Sequence, residues 1–447
     1  MLEETSKAKG DWRFLELETA VDQARTKNEP DSLILALIEL GLAYLDSGNV
    51  PKALTQYEKA LTLAKENNEE VLEARLWGYK GICLTRLGNS HFAQIAFYKS
   101  YKMAKALHHT PLLIDALTQI GSLQLETGQK AKAISRLEQA HGLALSIGDD
   151  LRAMNLAGKV GGIFFSMDAQ EKALEYYVLA RQLAQKLDQP QAECAYLLNI
   201  GNVLLTGDEQ AAAREHFEEA LNIATELNNV HAEISALSSL MRTYMAEDKV
   251  SMVALYGESA LRLAQALGAP GLEIANINLF TTYLVERGYA RRALPHLQRG
   301  LEIATGSEDW AWQLTFYHLL GYAYYELGEL DAALAAYESG LQRARQLQDK
   351  TAMGQLYGRL SAVLADKEML TEAVTAARQA LAIGQELDDS RLVGEQQIML
   401  AFAFSDLDDL EQARSFCQEA VATYRTLGEE SLLRKAETLL LSLETAI

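Results

Sequence analysis

Residues able to do covalent or metal chemistry are few and badly placed for it. His108 and His109 are the nearest approach to a metal pair, but they fall in a polar turn with no further ligand at a useful spacing. Cys83, Cys194 and Cys417 lie far apart and form neither a CxxC pair nor a zinc-type Cys/His pattern. They read as small apolar fillers in a reducing compartment. No P-loop, GxGxxG, GxSxG or HExxH stretch occurs. The many carboxylates each have a helix-surface explanation. The chain therefore reads as a non-enzyme without metal or cofactor.

What remains is chemistry of recognition. In YLLNIGNVLLTG (residues 196–207), Asn199 and Asn202 stand three apart, on one face of a helix. A side-chain amide both donates and accepts, which suits the backbone of a bound segment. Lys159 precedes Asn199 by 40 residues and Arg242 follows Asn202 by 40, with Asn155 one turn before Lys159. Further along, the same places hold Leu319, Tyr322, Met399 and Phe402. Asp46, Glu126, Glu286, Glu326, Asp366 and Asp406 form a second series, acidic throughout.

Those intervals point to the elements that must position these residues. Gly41, Gly81, Gly121, Gly161, Gly201 and Gly321 share one phase of a 40-residue period, completed by Met241, Thr281, Ser361 and Ala401. Twelve residues after each anchor stands a small residue, Ala53 to Ala413, with Val253 the one larger. Four further on comes a bulky one, such as Tyr57, Phe97, Phe217 or Tyr337, with Gly257 and Ala377 as exceptions. Each unit reads as two antiparallel helices. Gly48 stops the first in a left-handed turn, and Pro51 is accommodated in the first turn of the second. Polar turns such as Asn67–Asn68, Gly148–Asp149–Asp150, Gly268–Ala269–Pro270 and Asp388–Asp389 separate units. The anchor glycine costs about 1 kcal/mol of helix propensity, offset by letting the paired helices approach closely.

This pattern resembles the tetratricopeptide repeat, in Leu40-Gly41-x2-Tyr44, Gly48, Ala53, Tyr57 and Ala60, and again in Leu320-Gly321-x2-Tyr324, Gly328, Ala333 and Tyr337. The period exceeds the usual ~34 residues. Forty-residue units are similar to Pins-type adaptors and bacterial signalling proteins of the family, residues 199–229 especially. HEAT repeats share the length but lack this Gly/Ala register. The resemblance implies an all-α fold: an α-solenoid of antiparallel helix pairs wound as a right-handed superhelix. Ten repeats would span 31–430, between an N-terminal capping half-repeat (1–30) and a C-terminal capping helix (431–447). Residues ~12–27 copy a second helix and 431–445 a first, as exposed solenoid ends require.

Net charge is −20, from 41 Lys/Arg against 61 Asp/Glu, which argues against nucleic acid and anionic membranes as partners. No stretch has the ~18–20 apolar residues of a membrane span, and the first residues lack a signal-peptide core, so cytoplasm is the expected compartment. The resemblance implies that the first helices line a concave face. With the anchor counted as position 8, the family uses positions 2, 5, 6, 9, 12 and 13 for ligand contact, which selects Asn155, Lys159, Asn199, Asn202 and Arg242. Solvated consensus polarity is the competing reading. Leu319, Tyr322, Met399 and Phe402 are either exposed anchors or groups buried against the next repeat. The position-13 acids sit where the helix macrodipole disfavours them. Either they pair with bases six residues on (Lys52, Lys132, Arg292), or Glu326, Asp366 and Asp406 attract a basic amphipathic helix. Two functions follow: a scaffold or adaptor gripping a partner's peptide or helix, or a ligand-sensing regulatory subunit of a bacterial signalling system. Self-association is open to either.

Overall fold

Every twentieth residue from Gly48 to Gly428 has a positive φ. Eight of these residues are glycines and twelve are not, mostly Asn or Asp, whose short polar side chains tolerate the left-handed region. At the first, Gly48 N–H donates to Leu45 O at 3.2 Å and Asn49 N–H donates to Tyr44 O at 2.8 Å. This is the doubly bonded helix stop that satisfies two otherwise orphaned carbonyls. Asn49 then heads the next helix, its Oδ1 accepting from Lys52 N–H at 3.3 Å. One short turn thus ends a helix and starts another, and the half-repeat of 20 residues is as regular as the repeat of 40.

The structure, a computed structural model, describes residues 2–27 and 29–445. They form twenty-two helices, numbered in chain order, and no strand is found among them. Within each unit consecutive helices pack as antiparallel pairs, the α-solenoid that the 40-residue period predicts. In α2 (Pro30–Asp46), a Cβ on Gly41 would lie 2.4 Å from the ring of Tyr57 on α3 (Val50–Glu66). In α10 (Pro190–Thr206), a Cβ on Gly201 would lie 2.4 Å from Phe217 on α11 (Gln210–Glu226). Tyr57 and Phe217 are fully buried. Burying such a ring contributes roughly 1.5–3 kcal/mol, more than the helix propensity the glycine forfeits.

The exceptions in the pattern compensate one another. On α12 (Val230–Ala246) the anchor is Met241, and its counterpart on α13 (Val250–Leu267) is Gly257. A Cβ on Gly257 would lie 2.9 Å from Met241 Sδ and 2.7 Å from Phe280. The large and small partners have changed helices.

The chain divides into two compact units, Met1–Asn228 and Asn229–Ile447. The division falls in a turn of the same form as the others (Asn228, φ 52°), and no composition shift marks it. The first unit's opening core gathers Ile34, Leu37, Tyr57 and Leu76; the second builds on Ile277, Phe280, Leu297 and Phe316. At the N-terminal end α1 (Leu2–Lys27) begins ahead of the stretch read as a half-repeat, and its Phe14 stacks on Tyr44 at 4.9 Å. At the other end, Arg414 of α21 (Leu410–Leu427) donates twice to Leu443 O of α22 (Glu430–Thr445), at 3.0 and 2.8 Å. Residues 1, 28, 446 and 447, which belong to the two terminal half-units as read from sequence, lie outside the described residues.

Among the described residues no helix is long and apolar enough to cross a membrane. The three cysteines are free and buried, and burial pushes the Cys83 and Cys417 thiols up to about 11. That fits their reading as apolar fillers.

Candidate functional site

The first helix of each pair carries the sequence-selected residues, and the two units are described in turn. In the first unit, Asn155 and Lys159 are exposed on α8 (Asp150–Phe165), while Asn199 and Asn202 are half-buried on α10. Each is flanked by core residues such as Leu156, Val160, Ile200 and Val203, so the helix turns one stripe inward and leaves these polar groups on the other. Arg242 is exposed on α12 in the second unit, so the division of the chain falls within the predicted polar cluster.

The apolar residues of the second unit fare differently from one another. Leu319, on α16 (Trp310–Glu326), is only 8% exposed and sits in the core with Phe316 and Leu320. The expectation that it anchors a ligand is corrected: a side chain already packed has little surface left to give. Tyr322 is half-buried against the same core, and the Arg359 guanidinium lies 5.5 Å from its ring centre. On α20 (Ser390–Asp406), Met399 is half-buried, whereas Phe402 is 48% exposed. Of the four, Phe402 alone is a large apolar group left mainly to solvent.

Nor do the acids pair with bases six residues on. Lys52 lies over the Tyr44 ring at 5.3 Å, Lys132 donates to Gln129 at 2.9 Å, and Arg292 pairs with Glu258 at 2.7 Å. Asp366, at the end of α18 (Lys350–Asp366), accepts from Tyr325 Oη at 2.7 Å, and burial together with this bond pushes the Tyr325 hydroxyl up to about 12. Glu326 and Asp406 are exposed and have no bonding partner among the described residues. His109 is occupied too: its Nδ1 accepts from Leu112 N–H at 3.3 Å and caps α6 (Thr110–Glu126). Among the described residues no cluster of His, Cys, Asp and Glu could hold a metal ion.

Residues 34–67 and 314–347 each match models of the tetratricopeptide repeat. These are the two stretches whose Gly–Tyr pairs, Gly41–Tyr57 and Gly321–Tyr337, pack closest to the pattern. Two stretches of the chain are tetratricopeptide repeats. Comparison with curated proteins returns no match. Among solved structures, this repeat protein is similar to a signal-transduction ATPase with numerous domains and a tetratricopeptide repeat sensor from Pyrococcus horikoshii. The identity is 17% and the TM-score 0.54, covering 62% of this chain and 44% of that one. It is also similar to the apo quorum sensor NprR from B. thuringiensis (16% identity, TM-score 0.47, 68% of this chain and 86% of that one). Aspartyl phosphate phosphatase F from Bacillus subtilis is a third (11% identity, TM-score 0.48, 79% of this chain and 94% of that one). At such identities the likeness is one of fold.

One residue of the repeat face was missed in the sequence. Arg359 follows Leu319 by 40 residues and precedes Met399 by 40, so the same count finds it. Beside it on α16, His318 is pushed down to about 4, first by burial and then by the Arg359 charge, and is neutral near pH 7.

Proposed function

We propose that the protein is a non-catalytic scaffold that holds a segment of a partner protein along the first-helix face. The observation that supports this reading is Phe402, an aromatic left 48% exposed on the first helix of its pair, next to the fully buried Leu400 and Ala401. Together with the half-buried Tyr322 and Met399 it supplies apolar surface for a partner to cover. In the first unit the first helices of the pairs offer Asn155, Lys159, Asn199 and Asn202, groups that bond an extended or helical backbone. The second unit carries Arg242, and there Glu326 and Asp406 offer unpaired carboxylates beside Tyr322, Met399 and Phe402. That combination favours a basic amphipathic helix over an acidic one.

The test is retention of partners from the native cell on immobilised wild type, on Asn199→Ala/Asn202→Ala and on Phe402→Ala. A partner held by wild type and lost from both variants, each folded, supports the reading. A partner set unchanged by either variant overturns it.

A further inference from the structure

Between α18 and α20, within the second unit, the first-helix face opens into a cavity of about 550 Å³. Its cause is legible in α18, which offers Gly358 and Ala362 where a larger side chain would close the gap. The volume is that of a site for a small organic molecule.

The charges around it are unequal in their freedom. Asp389 is engaged as a helix cap, accepting from Leu392 N–H at 3.0 Å. Glu395 pairs with Arg391 at 3.4 Å. Arg359 has no carboxylate within ion-pair reach among the described residues; only the Tyr322 ring supports it. Its N–H donors have no acceptor among the described residues. Gln396, 3% exposed, reaches across Gly358 so closely that a Cβ there would lie 2.7 Å from its Nε2. Its Oε1 accepts from Ser361 Oγ at 3.3 Å, while its Nε2 donors have no acceptor among the described residues. That nitrogen is not sealed from solvent, so it is free to donate to a ligand oxygen. The opposite wall is apolar: Leu392, Ile398 and Met399.

We propose that this cavity binds an organic acid, its carboxylate held by Arg359 with Gln396 as a further donor, and its apolar body against Leu392, Ile398 and Met399. A planar guanidinium matches a carboxylate with two parallel hydrogen bonds. The acid group comes either from a free small molecule or from the C-terminus of a peptide. The site shares Met399 with the proposed partner face but includes neither Phe402 nor the first-unit asparagines, whose variants therefore test the scaffold reading without touching acid binding.

Calorimetry and thermal shift on the full chain test it. The probes are N-acetyl-leucine, benzoic acid and octanoic acid, each beside its neutral amide, and a leucine-terminated pentapeptide with a free or amidated end. At least one acid should bind at millimolar concentration or below, at least about tenfold tighter than its amide. Arg359→Gln should abolish that preference, and Gln396→Leu should weaken the acid by about the same factor without lowering Tm sharply. Preference for the small acids over the free-ended peptide identifies a free molecule, and the reverse identifies a chain end. Equal binding of acids and amides, binding that survives in Arg359→Gln, or no acid bound at about 10 mM overturns the proposal.

Discussion

Met241 and Gly257 fill together the space that Gly201 and Phe217 fill one repeat earlier, with large and small exchanged between the helices. The packing conserves volume across the helix pair, not residue type at a position. Met241→Ala should cost about 2–4 kcal/mol by leaving a cavity, and Gly257→Ala about 1–3 kcal/mol by crowding Met241 and Phe280. The double variant should lose less than the two single losses together, since the smaller residue makes room for the larger. Phe280 keeps the relief incomplete. Denaturant unfolding of the four proteins measures the coupling.

Gly201→Ala is the companion case. On an isolated helix the substitution gains about 1 kcal/mol. Here the added methyl meets Phe217, so Tm should fall. Gly201→Ala with Phe217→Leu should recover part of it.

The turns make an opposite prediction. Glu308, Gln348 and Glu368 hold the left-handed conformation without the local bonding that Asn and Asp supply. Replacing each with glycine should stabilise by up to about 1 kcal/mol, read as a rise in Tm, whereas Gly48→Ala should destabilise by a similar amount.

For the proposed basic partner, the acids and the aromatic should act on different rates. Amides at Glu326 and Asp406 should slow association and flatten its salt dependence, because exposed charges act mainly on encounter. Phe402→Ala should instead hasten dissociation. Asp366→Asn belongs apart, since it also disturbs the bond from Tyr325. Surface plasmon resonance at low and moderate salt separates these effects, and identical changes from both sets would remove the acidic rim from the binding account.

His318 sets a pH dependence. Its folded-state pKa is about 4, below the ordinary histidine value of about 6.5. Above the higher value the neutral ring contributes no penalty. As pH falls from about 6.5 to about 4 the unfolded chain takes a proton that the folded chain refuses, and stability drops by up to about 3 kcal/mol before levelling. His141, His216 and His296 are lowered too and act in the same direction. His318→Asn should narrow the loss of Tm between about pH 7 and about pH 4.5, and an unchanged slope would show that the ring protonates freely.

The helix pairs were legible because in most repeats a small residue and a bulky one, such as Gly41 and Tyr57, announce their contact from 16 residues apart. The half-repeat was harder to see. Its turn tolerates Gly, Asn, Asp, His, Gln or Glu, so the 20-residue interval lives in backbone geometry and not in residue type. Leu319 shows the limit at the candidate site. Leu319, Arg359 and Met399 share one register position, yet one is core, one is a stacked cation and one is half-buried. Position told which helix face each occupies; depth depended on what the neighbouring repeat left open, as Gly358 does for Gln396.

The uniform turn also decides which rearrangements of the gene the fold can absorb. Excising any 40 consecutive residues inside a unit rejoins a first helix to a first helix's own successor, whatever the starting point. An excision of 20 instead sets two helices of the same kind side by side, with bulky residues facing bulky ones. Copying errors of the longer length are therefore survivable at almost every breakpoint, and a chain of this kind can change its number of repeats without first inventing a junction.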